Sequence, residues 1–185
     1  KLAKCILACN LHQAGKTDEA ERLFVAAEIM QQQYQPEYTY LYSLPGYRYC
    51  DLLLSREHVA DVLDRANTTM GWVKRQGRMV DVALDELSLG RAHLQQNDLA
   101  LAYEHLDAAV AGLRQSGQQH ELPRGLLVRA AYYRAAEEFE LAAADVGEAE
   151  ELATRGEMNL FLADIHLEWA RLRLSQGQPE PARRH

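Results

Sequence analysis

The residues best equipped for chemistry in this chain are arginines that recur at long intervals. Arg48, Arg91 and Arg171 occupy equivalent places in successive segments, in a column completed by Cys9 and Ala131. Arg134 lies about one turn beyond Ala131 and Arg124 about two turns before it. A guanidinium makes paired, coplanar hydrogen bonds to carboxylate or phosphate, so such a column would grip an acidic group. Asp51, Asp81, Asp85, Glu86, Asp164 and Glu168 also stand within helical reach. Internal ion pairing and ligand binding are both open at this point. They are compatible, because a paired arginine can exchange its partner for a ligand.

Other chemistries find less support. His58, His93, His105, His120 and His166 fall one per element, and no HExxH spacing occurs. Cys5 and Cys9 share a helix face and could meet one metal together with His12, although a packed pair of small thiols is the simpler reading. There is no GxSxG, no Walker loop and no GxGxxG. No nucleophile, base and orienting group come together in any local motif. The chain is therefore expected to be non-catalytic and to hold neither metal nor cofactor.

The elements that position these residues are helical. Of 185 residues, 48% are hydrophobic, with few glycines and prolines and many alanines and leucines. Twenty basic residues against 27 acidic ones give a net charge of -7, which argues against direct nucleic-acid binding. Three cysteines without a CxxC pair fit a reducing, cytoplasmic setting. No apolar run reaches the length of about 20 residues that spans a bilayer, and no signal peptide opens the chain. The sequence lacks an initiator Met and ends at "PARRH", so it reads as a fragment of a larger protein.

A small residue, a bulky one four later and Ala three after that recur as Ala20-Phe24-Ala27, Val59-Leu63-Ala66, Ala102-Leu106-Ala109 and Ala142-Val146-Ala149. The offsets are 39, 43 and 40 residues. Positions i, i+4 and i+7 share one helix face, where alanines admit a neighbouring helix and the large residue fills the gap. The breaks "GKTD", "LSRE", "QND" and "AEE" fit only antiparallel helix pairs. Asp18, Ser55 and Asp98 are expected N-caps. Ser43 would cap a helix that carries Pro45 in its first turn. The expected organisation is one repeat domain, with units at about 1–33, 43–75, 79–116, 123–156 and 159–185.

This arrangement resembles the tetratricopeptide-repeat family. "SLGRAHLQQNDLALAYEHLDAAV" carries the resemblance at Leu89, Gly90, Ala102, Leu106 and Ala109, and "AGKTDEAERLFVAAE" at Gly15, Ala20, Phe24 and Ala27. The family's aromatic of the first helix is Leu11, Cys50, His93 or Tyr133 here, its closing proline is absent, and the period is near 40 instead of 34. The longer period is similar to the extended arms of bacterial STAND-class signalling ATPases and regulators. The resemblance implies an all-α fold: a right-handed superhelical array of antiparallel helix hairpins, an α-solenoid of about four and a half repeats.

It also implies a concave groove lined by the first helix of each pair, the family's usual peptide site. The expected groove residues are Arg48, Arg91, Arg124, Arg134 and Arg171, with Asp51 and Tyr47. The implied function is an interaction scaffold holding a protein or peptide partner that carries an acidic group. The alternative is a sensor or autoinhibitory arm that binds a small anionic effector. Six tyrosines between Tyr34 and Tyr49 form either a packed connector or a ligand-facing patch. The acidic stretch "EEFELAAADVGEAEELATRGE" reads as a solvated face that a basic partner could use. Gly112 and Gly147 mark close helix approach or local weakness. Self-association is open through a terminal face of Leu167, Trp169 and Leu172.

Overall fold

The computed structural model describes residues 1–177, and the described residues form nine α-helices and no strand. The helices are α1 (Leu2–Gln13), α2 (Thr17–Tyr34), α3 (Ser43–Ser55), α4 (Val59–Arg75), α5 (Met79–Gln95), α6 (Leu99–Gln115), α7 (Leu122–Ala135), α8 (Phe139–Arg155) and α9 (Asn159–Ser175). The end of the last expected unit, 178–185, lies outside the described residues. No helix among those described is long and apolar enough to cross a membrane.

Every helix packs on the next one in sequence. Each odd-numbered helix also packs on the next odd-numbered helix, whereas the even-numbered helices stand further apart and meet through long side chains, as Arg65 to Glu28 and Arg114 to Glu148. A layer whose members meet is shorter than one whose members splay, so the odd helices form the inner layer. This order of contacts is compatible with a helical-repeat solenoid. Phe24, Leu52, Leu84, Leu87, Leu106, Leu113, Leu126 and Ile165 are almost fully buried between the layers. Each such side chain contributes roughly 1.5–3 kcal/mol of transfer free energy. Gly90 shows why the pattern needs small residues, since a Cβ there would sit 2.6 Å from the Leu106 side chain. At Gly112 an added Cβ would meet that of Ala83 at 3.0 Å, while Gly147 faces open space.

The repeat frame is more regular than the sequence pattern implied. The odd helices from α3 onward end at Ser55, Gln95, Ala135 and Ser175, a constant 40-residue step. The buried row of α4 is accordingly Val62, Ala66 and Thr69, the residues in step with Ala102, Leu106 and Ala109. Val59 and Leu63 are only partly buried. The expected register of the second unit was thus displaced by three residues. Both choices begin with Val and place an apolar residue four later, so spacing alone did not separate them.

The hairpin turns end their helices on left-handed residues. Positive φ occurs at Gly15, Glu57, Asn97, Glu137 and Gly177, and at Gly77, Gly117 and Glu157. At most of these turns the following amide reaches back to a carbonyl five residues earlier, as from His58 to Leu53 and from Glu138 to Tyr133. That is the bonding of a Schellman cap. Among the expected caps, only Asp98 accepts from a helix amide, that of Leu101 at 3.2 Å. Asp18 instead pairs with Arg56 at 2.7 Å, and Ser55 donates to the Leu52 carbonyl. The Ser43 hydroxyl is buried without a partner, at a φ of 60°.

Glycine relieves the steric cost that a side chain meets in the left-handed region. Glu57→Gly, Glu137→Gly and Glu157→Gly should each stabilise the fold by up to about 1 kcal/mol. Chemical denaturation midpoints of the three variants check this, with Glu138→Gly as a control that should lower the midpoint.

Candidate functional site

A groove of about 600 Å³ runs across the inner layer, and every odd helix contributes to its lining. The end of α1 supplies Gln13, α3 supplies Tyr47, Asp51, Leu54 and Ser55, and α5 supplies Arg91, Leu94 and Gln95. Arg124, Leu127, Val128 and Ala131 come from α7, and Phe161, Asp164, Leu167, Glu168 and Arg171 from α9. Five of the seven expected site residues therefore meet in one cleft: Tyr47, Asp51, Arg91, Arg124 and Arg171.

Arg48 and Arg134 do not line the groove. Arg48 stands three residues before Asp51, a rotation of about 60° and nearly one turn along α3. Stepping back 40 residues from Arg91 leads to Asp51, so the inner column reads Asp51, Arg91, Ala131, Arg171. The three-residue displacement found in α4 also misplaced Arg48. Arg134 donates from Nε to Glu168, itself a lining residue, at 2.7 Å.

The groove is not a uniformly cationic channel, as the arginine column alone would imply. Arg91 donates to Asp51 at 2.5 Å and to the Tyr47 hydroxyl at 3.1 Å. Burial lowers its pKa, but Tyr47 and Asp51 more than offset this and the net shift is upward. Arg124 donates from Nε to Glu121 at 2.9 Å, and its guanidinium lies 5.0 Å from the Tyr47 ring and 5.4 Å from the Phe161 ring. The Arg91 guanidinium is 5.7 Å from the same Tyr47 ring. Tyr47 is thus shared by two cations, a contact its ring quadrupole favours.

Arg171 is the least committed cation of the groove. Its side chain is 54% exposed, and its contact with Glu168 is long, at 3.4 Å. Asp164 is exposed as well. Partial burial and the negative charge of Asp51 push its carboxyl upward, with Arg124 and Arg171 opposing them. Between Arg91 and Arg171 the column has only Ala131, which opens a gap floored by Leu94, Leu127, Val128 and Leu167.

The tyrosine-rich stretch resolves into a packed connector. Gln31 donates to the Tyr38 and Tyr40 carbonyls, and Gln32 to that of Thr39. Tyr38 and Tyr42 pack on Trp72, with Tyr38 at 5.2 Å. Tyr49 stacks on Phe24 at 4.9 Å, and Tyr40 donates to Asp64. Tyr34 is 82% exposed at the end of α2. Tyr47 alone of the six turns into the groove.

The cysteines are all free thiols. Burial pushes Cys50 up to about 12, far from a reactive thiolate. His12 lies 3.1 Å from the Ser55 hydroxyl and 3.7 Å from Asp51. Among the described residues no group of three His, Cys, Asp or Glu side chains is placed to hold a metal ion.

Sequence reasoning missed Phe161, Leu127 and Val128 as groove residues. The 40-residue step between helix ends would have found them, because it fixes which face of α7 and α9 follows Asp51 and Arg91. Comparison with family models, curated proteins and solved structures finds no match to this chain.

Proposed function

We propose that this chain is a non-catalytic interaction module, a right-handed tetratricopeptide-like solenoid that holds a segment of a partner protein in its inner groove. The observation that carries this reading is the cleft assembled from all five odd helices, with an apolar floor at Ala131 between Arg91 and Arg171. An apolar side chain of the partner would fill the gap at Ala131. An acidic group beside it would pair with Arg171, whose guanidinium has most of its donors available. Arg91 and Arg124 serve more as a rigid wall, because Asp51, Glu121 and Tyr47 already occupy them.

The volume also suits a small anionic effector, which is the reading for a sensor arm of a signalling ATPase. Selection of a random peptide library on the immobilised chain separates the two. Peptides enriched on the unaltered chain should share an acidic residue near an apolar one. Ala131→Trp should remove that enrichment by filling the gap. Enrichment that persists on Ala131→Trp would place peptide binding elsewhere. No enrichment on either chain would leave the effector reading.

A further inference from the structure

We propose that α9 is a self-association helix, pairing antiparallel with α9 of a second copy about a two-fold axis at Leu167. The exposed face of α9 carries Leu160, Asp164, Leu167, Arg171 and Leu174, at alternating steps of four and three residues. Leu160 is 76% exposed, Leu167 48% and Leu174 58%. Leucines repeating every seven residues form the seam by which two helices pack together. Three of them on one face of α9 are left about half exposed or more among the described residues. The rest of the expected terminal face is not available, since Leu172 is buried and Trp169 packs into the core.

The charges on the stripe choose the occupant. One acid and one base flank Leu167, Asp164 three residues before it and Arg171 four residues after it. A parallel partner would set like charges side by side. An antiparallel second copy brings Asp164 of each helix to Arg171 of the other, twice, while Leu160 meets the second copy's Leu174 and the two Leu167 side chains meet on the axis. Ala163 falls opposite the second copy's Arg171 and leaves its guanidinium room to reach Asp164 one residue along. Such a self-complementary patch is what an isologous dimer requires. Arg171 is free to take the new partner, because its present contact with Glu168 is long.

Pairing would cover the α9 wall of the groove, since Asp164, Leu167 and Arg171 belong to both surfaces. The same helix would then link self-association to groove access. Dimerisation itself needs no peptide, so its test stands apart from that of the groove.

Sedimentation equilibrium of the 185-residue chain, from micromolar to millimolar concentration, tests the pairing. The weight-average mass should rise from 20.9 kDa toward twice that value. Leu167→Glu sets like charges on the axis and should raise the dissociation constant by about tenfold or more. Asp164→Arg should do the same, and Asp164→Arg combined with Arg171→Asp should restore dimers by reversing both pairs. All these positions are exposed, so circular dichroism should be unchanged. A chain monomeric at every concentration overturns the proposal. So does a dimer indifferent to Leu167→Glu, or a charge-reversed double variant that fails to recover.

Discussion

Glu28→Ala should cost the fold about 3–5 kcal/mol, the loss expected when one partner of a buried ion pair is removed. Glu28 holds three elements together. Its carboxylate receives both terminal nitrogens of Arg65, at 2.5 and 3.0 Å, and the backbone amide of Leu41 at 2.8 Å. It therefore ties α2 to α4 and pins the connector that leads into α3. The side chains of Arg65 and Glu28 are only 14% and 10% exposed. Arg65 is further sandwiched against the Tyr40 and Tyr49 rings at 4.4 and 4.3 Å. Removing the carboxylate leaves that cation inside without a counter-charge. Replacing both residues, as in Glu28→Leu with Arg65→Met, should lose less than the single alanine change, because no charge is then stranded. Denaturant midpoints read all three. A loss below about 1 kcal/mol for Glu28→Ala would mean that water solvates Arg65 in place of Glu28.

The second large effect is a dependence on pH. Asp85, on α5, is 4% exposed and accepts the Thr69 hydroxyl of α4 at 2.9 Å. Burial pushes its carboxyl up to about 8, and the charges of Asp81 and Glu86 add to this, although the Thr69 hydrogen bond opposes it. In the unfolded chain the same group titrates near 4. Between these values the folded state retains a proton that the unfolded state has released. Its contribution is therefore full below about pH 4 and is lost as pH rises toward 8, at about 1.4 kcal/mol per pH unit at most. Asp85→Asn keeps an acceptor for Thr69 and cannot titrate. Between pH 5 and pH 8 the unaltered chain should lose distinctly more stability than Asp85→Asn, as read by melting temperatures of both proteins. Parallel curves would show that Asp85 is ionised in the folded chain.

How much of this was legible in the sequence follows from what each signal depends on. Helix content, hairpin lengths and the small-large-small rows were written in local spacing, and Ala20, Phe24, Ala102, Leu106, Ala142 and Val146 are buried as that spacing requires. The register of the second unit was not, because Val59-Leu63 and Val62-Ala66 satisfy the same spacing. Only the turn geometry, with Glu57, Asn97 and Glu137 in step at positive φ, decides between them. Non-glycine residues at those turns hid that signal. The groove inherited the same ambiguity, which is why Arg48 was expected where Asp51 lies. Glu28 and Asp85 were invisible for another reason. A buried carboxylate is defined by its partners, here 37 and 16 residues away, and no local pattern records them.

The central claim, that the inner groove receives a partner segment through Arg171 and the gap at Ala131, is tested most directly by titration calorimetry. A peptide selected on the unaltered chain would be titrated into that chain, Arg171→Glu and Arg48→Glu. Loss of a charge-assisted pair should weaken binding to Arg171→Glu by about tenfold or more. Arg48→Glu carries the same charge change outside the groove and should bind as the unaltered chain does. Equal weakening by both variants, or by neither, would contradict the account.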